Sequence, residues 1–226
     1  MIHIYDVDCI KPLIIEFYRK AWRSTKETRR IFEEIGLELT KHTLHYIPQL
    51  RNFPKELVNV YAAPIARAGC GTFRPLVVKL LQEEFHRKNI VFKTFGLGLN
   101  RSNDPLHSPA KVYWNTLRYS KPDLSSSIIL LYEIGEATGS TIEGAVRELE
   151  TFNAVPSNII FQIGAACIDQ TRERLEQVAS GIHLVIGSRW RYNEKFGPTQ
   201  YYLTHILDEK WINMSPRDFG ENVSYV

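Results

Sequence analysis

The feature of this sequence that most constrains the fold is a strand, a short turn and a helix that follow one another directly. Residues 128–131 form a continuous apolar run, which leads through Tyr132 to the acidic Glu133. A loop of small residues, 137–141, comes next, and beyond it apolar side chains recur at helical spacing up to Leu149. An unbroken apolar strand followed by a helix is typical of a mostly parallel sheet covered by helices. We therefore predict an α/β fold of this kind.

The turn itself carries the first chemical signal. Its residues are small and rich in hydroxyl groups, with Thr138, Gly139 and Ser140 at the start of the helix. Unpaired backbone N–H groups and the positive end of the helix dipole meet there, and glycine lets a ligand approach the backbone closely. This arrangement suits a phosphate group. The alternative is a turn of small residues that only caps the helix.

Strand and helix patterns also alternate along the rest of the chain. Strands are predicted at residues 58–63, 90–95, 112–117, 159–163 and 182–186, and helices at 73–85 and 171–178. Two further helices within residues 13–45, the second weakened by Gly36, form an N-terminal helical arm or layer. Residues 96–111 are predicted to be a loop or the end of a long hairpin. Because no repeat or low-complexity linker interrupts the chain, we predict one domain, 1–226, made of a helical arm (1–50), a core sheet (55–187) and a C-terminal segment (188–226).

Composition excludes several classes of protein. The net charge of +3 is too small to indicate a nucleic-acid-binding protein, and the basic residues within 19–30 alternate with glutamates, as on a solvated helix face. The three cysteines are widely spaced and form no C-x-x-C pair, which argues against a disulfide framework or a zinc site. The sequence shows neither a membrane span nor a signal peptide. A cytoplasmic location without a membrane partner is therefore predicted.

Three further segments are candidates for a site at the carboxyl ends of the strands, where α/β sheets bind ligands. Residues 64–72 carry Arg67, Ala68 and Gly69 between a strand and a helix, where a nest of N–H groups and a guanidinium could hold phosphate; the alternative is a tight turn with a surface arginine. The loop 96–105, with Arg101, is long enough to be a lid. The segment 211–222 is polar, and taken alone it is a surface tail.

Together these segments resemble type I phosphoribosyltransferases, most closely the uracil phosphoribosyltransferase branch. Residues 133–141, E-I-G-E-A-T-G-S-T, are similar to that branch's D-P-M-L-A-T-G-G-S, and residues 65–71, I-A-R-A-G-C-G, resemble its I-L-R-A-G-x-G. Its G-L-Y-R-D-x-x-T-x-x-P resembles residues 98–109, with Arg101 in place. Its R-x-x-x-T-S-T-K-x-F-R resembles residues 19–30, and its Y-I-V-P-G-L-G-D-F-G-D-R is similar to residues 211–222.

The resemblance implies an enzyme that transfers ribose 5-phosphate from phosphoribosyl pyrophosphate to uracil or a related heterocyclic base and releases pyrophosphate. It implies the type I phosphoribosyltransferase sheet, with an N-terminal helical arm and a C-terminal base-binding hood. It also implies Mg²⁺ as cofactor and a homodimer. The alternative is a regulator of the same fold that binds phosphoribosyl pyrophosphate or a nucleotide without turnover.

The resemblance also assigns roles to individual residues. The ribose hydroxyls would bind Glu133, and the pyrophosphate would bind Arg67, Ala68, Gly69 and Arg101, with Arg67 as a catalytic residue. Asp218 would be catalytic and would orient the metal or the acceptor, while the backbone around Ile212 and Met214 would contact the base. The 5-phosphate would be held by the backbone N–H groups of Ala137, Thr138, Gly139, Ser140 and Thr141. The chain departs from the family pattern at Glu136, which adds a negative charge beside the phosphate loop, and at residues 214–217, which replace P-G-L-G.

Overall fold

The computed structural model describes residues 1–20, 25–66, 69–100, 107–136 and 138–193, with the side chains of 17–20, 25 and 190–193 excepted, and the backbone of 202–205 and 211–212. The strands are β1 His3–Asp6, β2 Asn59–Ala66, β3 Val91–Thr94, β4 Leu97–Asn100, β5 Lys111–Asn115, β6 Ser127–Glu136, β7 Ile159–Cys167, β8 His183–Asn193, β9 Tyr202–His205 and β10 Trp211–Ile212. The helices are α1 Lys11–Lys20, α2 Thr25–Tyr46, α3 Pro48–Arg51, α4 Gly69–Thr72, α5 Pro75–Arg87, α6 Leu117–Ser120, α7 Ser140–Glu150 and α8 Ile168–Val178.

The strands form one sheet in the order β10-β9-β8-β7-β6-β2-β4-β5, with β1 paired to β8 and β3 paired to β2. Strands β3, β2, β6, β7 and β8 are neighbours and run parallel. The predicted mostly parallel, helix-covered sheet is confirmed. Strand β3 follows β2 in the chain and lies on one side of it, whereas β6, β7 and β8 follow later and lie on its other side. The order of the parallel strands therefore reverses between β2 and β6. That reversal is a topological switch point, where open α/β sheets form a crevice beyond the strand ends.

Helices cover both faces of the sheet, so that each face has its own hydrophobic core, and β6 contributes side chains to both cores. Ile128 and Leu130 pack on one face with Ile35 of α2 and Leu81 of α5. Their neighbours along β6 point to the other face, because side chains alternate along a strand. That second core also includes buried residues of α7 and α8, namely Ile142, Ala145, Val146, Leu149 and Leu175. All residues of β6 are buried, which explains why its sequence is almost continuously apolar.

The ends of the chain differ from what the sequence predicts. The N-terminal helices form a layer on the sheet, with Ile14 of α1 and Ile31 of α2 in its core, and β1, which the sequence did not predict, adds a strand parallel to β8. Strand β8 continues to Asn193, well past the predicted end at residue 186, and β9 and β10 extend the sheet from there in antiparallel fashion. Residues 97–100, within the segment predicted as a loop or the end of a long hairpin, form β4, which pairs with β5 in antiparallel fashion. No helix in the described ranges is both long and apolar enough to cross a membrane.

Candidate active site

Two strand-to-helix junctions meet at the switch point. Strands β2 and β6 are parallel neighbours, and their last paired residues are Pro64 and Tyr132. Beyond this pair, the chain from β2 leads to α4, and the chain from β6 leads through Thr138 and Gly139 to α7. Both junctions lie at the carboxyl end of the sheet, where the sequence predicted the phosphate-binding segments.

Gly69, the first residue of α4, contacts β6 directly. A Cβ atom built on Gly69 would lie 2.0 Å from the backbone oxygen of Tyr132, so only glycine fits at this position. Cys70 follows, and loss of hydration, together with the negative charge of Glu133, raises the pKa of its thiol. The junction after β2 is therefore fixed beside the residue that the sequence predicted as the ribose ligand.

Glu133 is a buried carboxylate near the end of β6, with a relative exposure of 6%. Its Oε1 atom accepts a hydrogen bond from the backbone N–H of Ile134 at 2.8 Å. An ionised carboxylate can only accept hydrogen bonds, so it suits a ligand that presents hydroxyl donors. Burying a carboxylate costs free energy unless hydrogen bonds or opposite charges compensate it, and such residues are often functional.

The turn before α7 is held by its own hydroxyl groups and by the segment that precedes β5. Gly139 has φ +76°, a left-handed conformation that favours glycine. The hydroxyl of Thr138 accepts the N–H of Ser140 at 3.4 Å, and the hydroxyl of Ser140 donates to the carbonyl of Ser108 at 3.0 Å. The N–H of Ala110 donates to the carbonyl of Ser140 at 3.0 Å. The segment just before β5 thus lies against the candidate phosphate loop.

Glu136 occupies donors of this turn. Its Oε1 atom accepts the backbone N–H of Gly139 at 2.9 Å and that of Thr138 at 3.2 Å, and the residue is buried. Burial first, and then the charges of Glu136 and Asp169, raise the pKa of the Cys167 thiol on the neighbouring strand β7. The sequence showed an unusual acidic residue beside the loop, but not that its carboxylate bonds to the loop itself.

An ion pair between α7 and α8 lies next to the turn, on the side of α8. Glu143 is buried in the first turn of α7 and bonds to Arg174 of α8 and, at 2.9 Å, to Arg147. A Cβ built on Gly139 would lie 3.2 Å from the Cδ atom of Arg174 and 3.1 Å from the Cα atom of Thr171. Sequence analysis missed this pair, because α7 and α8 are separated by strand β7 and no local spacing relates the two residues.

Several residues predicted for the site lie outside the described residues: Arg67, Ala68, Arg101, Ala137, Met214 and Asp218. Of the others, Gly69, Glu133, Thr138, Gly139 and Ser140 lie at the two junctions, and Thr141 is in the first turn of α7. The backbone of Ile212 pairs with Leu203 of β9, at the extension of the sheet beyond the carboxyl end of β7. Within the described residues, no three potential ligands cluster as a metal site.

Neither a family model nor a curated protein matches the chain. Among solved structures, the AQ2163 protein from Aquifex aeolicus is similar over 86% of this chain and 90% of its own, with a TM-score of 0.61 and 21% identity. Adenine phosphoribosyltransferase from Giardia lamblia, complexed with 9-deazaadenine, covers 76% of this chain and 83% of its own, with a TM-score of 0.44 and 14% identity. Hypoxanthine-guanine phosphoribosyltransferase from L. donovani covers 71% and 79%, with a TM-score of 0.44 and 6% identity. The Aquifex structure shares the overall fold; the fit of the other two is partial.

Proposed function

We propose that this protein is a phosphoribosyltransferase that joins ribose 5-phosphate, from phosphoribosyl pyrophosphate, to a heterocyclic base and releases pyrophosphate. The observation that carries the proposal is the position of two strand-to-helix junctions at the switch point of the sheet, with buried Glu133 of β6 next to Cys70 at the junction after β2. The motif resemblance of residues 65–71 and 133–141 falls on these two junctions.

The proposed roles follow from the chemistry of each group. A ring nitrogen of the base bonds to C1 of the ribose while the bond from C1 to pyrophosphate breaks, and the nitrogen gives up its proton. Negative charge grows on the leaving group, so donors from Arg67, Ala68, Gly69 and Arg101 would stabilise the transition state. Glu133 would hold the ribose hydroxyls, and the N–H groups of residues 137–141 would hold the 5-phosphate.

Mg²⁺ is proposed to bind together with the pyrophosphate group of the substrate rather than at a permanent metal site of the protein. In nucleotide sites, Mg²⁺ typically keeps several waters and binds phosphate oxygens plus one or two carboxylates. In this mode the substrate supplies most of the ligands. The metal would neutralise charge on the leaving group, and Asp218 is the proposed protein ligand.

The acceptor is proposed to be uracil or a related heterocycle, since the resemblance is closest to the uracil branch. Residues 188–226 would form the base-binding hood, with the backbone at Ile212 and Met214 against the base. The extension of the sheet by β9 and β10 at its carboxyl end supports this placement. We also propose that the chain is one domain, cytoplasmic, and a homodimer.

A regulator that binds phosphoribosyl pyrophosphate without turnover is the second candidate. One observation favours it: Glu136 places a carboxylate on the N–H groups of Thr138 and Gly139, which a working phosphate loop would offer to its substrate. The two candidates share ligand binding and differ only in turnover.

One experiment in two steps separates these functions. Thermal unfolding is first measured with and without phosphoribosyl pyrophosphate and Mg²⁺; pyrophosphate release is then followed across a panel of pyrimidine and purine bases. A rise in the unfolding temperature together with release for one base supports the transferase. A rise without release for any base supports the regulator, and no rise contradicts both.

The role of Glu133 is tested with a matched pair of variants. Glu133→Gln should weaken binding of the sugar, because an amide is a poorer acceptor for ribose hydroxyls than a carboxylate. Glu150→Gln makes the same change of charge at an exposed position at the end of α7 and should leave binding unchanged. Equal affinities for the two variants would refute the proposed role of Glu133.

A further inference from the structure

We infer that Glu136 is an internal competitor of the sugar phosphate: its carboxylate occupies the phosphate loop, and a ligand must displace it to bind. The inference rests on the proposed function, because it concerns the loop assigned there to the 5-phosphate. It makes Glu136 the residue that sets the affinity of this site for phosphorylated sugars.

The hydrogen bonds are the first argument. Each backbone N–H is a single donor, and Glu136 Oε1 takes those of Gly139 at 2.9 Å and Thr138 at 3.2 Å. A phosphate bound to this loop needs the same donors, at the same helix start. The carboxylate oxygen therefore stands in for a phosphate oxygen, and both cannot be bound to these N–H groups together.

Charge is the second argument. Glu136 is 4% exposed, so little water screens it from an anion that enters the loop. At an effective dielectric constant of about 20, two unit charges about 4 Å apart repel by about 4 kcal/mol, and each 1.4 kcal/mol is a tenfold change in affinity. A phosphate dianion beside an undisplaced Glu136 would therefore bind much more weakly than beside a neutral residue.

The position of Glu136 distinguishes this contact from ordinary helix capping. A capping side chain usually belongs to the residue just before the helix, and for α7 that residue is Gly139. Thr138 already accepts the N–H of Ser140 through its hydroxyl. Glu136 instead belongs to the end of β6, and its side chain reaches forward to the turn from the strand. The carboxylate is thus placed in the ligand position, while the helix start has a hydroxyl acceptor of its own.

The test measures binding of ribose 5-phosphate by isothermal titration calorimetry. The proteins are wild type, Glu136→Gln, which keeps the shape and removes the charge, and Glu136→Leu, which removes both the charge and the acceptor. Glu150→Gln is the control, because it changes the net charge equally at an exposed position, the last residue of α7. Far-UV circular dichroism checks that each variant is folded. If the Leu variant does not fold, the isosteric Gln variant alone provides the test.

We expect both Glu136 variants to bind ribose 5-phosphate at least about tenfold more tightly than wild type, and unphosphorylated ribose with unchanged affinity. The control should match wild type. If wild type and the Glu136 variants bind ribose 5-phosphate equally, Glu136 is not a competitor of the ligand, while the assignment of the loop to the 5-phosphate is retained. If none of the folded proteins binds ribose 5-phosphate, the assignment of the loop to the 5-phosphate is refuted, and so is the role of Glu136 as a competitor.

Discussion

Gly36, in the middle of α2, lies directly against the backbone oxygen of Thr72, the last residue of α4: a Cβ built on Gly36 would stand 1.9 Å from that oxygen. On its other side, α4 touches β6 through Gly69 and the backbone oxygen of Tyr132. Two glycines thus fix the short helix α4 between α2 and the strand that carries Glu133. Glycine weakens a helix, and here that weakness is offset by a close contact that positions one junction of the candidate site.

Gly36→Ala should destabilise the protein in spite of alanine's higher helix propensity. Alanine gains about 1 kcal/mol of helix propensity, but the clash with Thr72 forces α4 away from α2 and costs more than this gain. We expect a net loss of about 2–3 kcal/mol in the free energy of unfolding, measured by urea denaturation.

The control for this prediction is Gln82→Ala, an exposed position of α5, which should change stability by no more than about 0.5 kcal/mol. A stabilised Gly36→Ala protein would mean that α2 and α4 can separate at little cost. The contact would then play no part in positioning Gly69.

Gly139→Ala tests the turn before α7. At φ +76°, alanine is strained, and its Cβ would press on Thr171 and Arg174 of α8. We expect a loss of about 1–2 kcal/mol in the free energy of unfolding and a weaker affinity for ribose 5-phosphate, because the N–H groups of the turn would shift. Urea denaturation and calorimetry measure the two effects.

Gly181→Ala is the matched control for the turn. Gly181 has φ +87°, and its Cβ would lie 2.9 Å from Ser157, outside the two junctions of the site. It should lose a similar amount of stability and keep the affinity of wild type. A parallel loss of affinity in both variants would show that general destabilisation, and not the geometry of the turn, governs binding.

The central stretch of the fold could be predicted from the sequence because its signals are local. The apolar run of β6, the small residues of the turn and the helical spacing of α7 lie side by side in the chain, and each appears in the structure as predicted. The same holds for β2, β7 and α5, whose patterns are strong. The position of the junction after β6 followed from these elements, whereas after β2 the structure has a longer strand, to Ala66, and the unpredicted short helix α4.

The features that the sequence did not reveal depend on distant partners. Strand β1 has four residues and exists by pairing with β8, for instance His3 with His183, across most of the chain. Strand β4 contains Gly98, a poor strand residue, and this glycine is covered by the ring of Tyr113 on β5. The bond from Glu136 to Gly139 required the actual direction of a side chain. Local patterns carry no information on any of these contacts.

Glu143→Gln tests the ion pair behind the turn. The side chains of Glu143 and Arg174 are 7% and 11% exposed, so removing one charge leaves the other buried without its main partner. We expect a loss of about 2–3 kcal/mol in the free energy of unfolding. Glu176→Gln on α8, whose pair with Arg172 is 39% and 53% exposed, should change stability by less than about 1 kcal/mol. Similar losses for both would show that burial does not strengthen the inner pair.

A different kind of prediction concerns the amino end of β8, away from the site. His183 is buried there; the Tyr5 hydroxyl lies 3.2 Å from its Nδ1 atom, and the side-chain amide of Gln49 lies 3.0 Å from its Nε2 atom. The ring of His3 stacks on it at 4.8 Å. Burial first, and then the charge of His3, lower the pKa of His183 from 6.5 to about 4. The folded protein thus keeps this imidazole neutral.

Stability should therefore fall on acidification between pH 6.5 and about 4. In this range the unfolded chain binds a proton at residue 183 that the folded chain does not, so the contribution is complete above pH 6.5 and is lost as pH falls toward 4. A shift of the pKa from 6.5 to about 4 corresponds to a loss of at most about 3 kcal/mol. Urea denaturation at several pH values should show this slope in wild type and in His45→Gln, an exposed histidine, but a flatter one in His183→Gln. Equal slopes in all three proteins would assign the acid sensitivity to other groups.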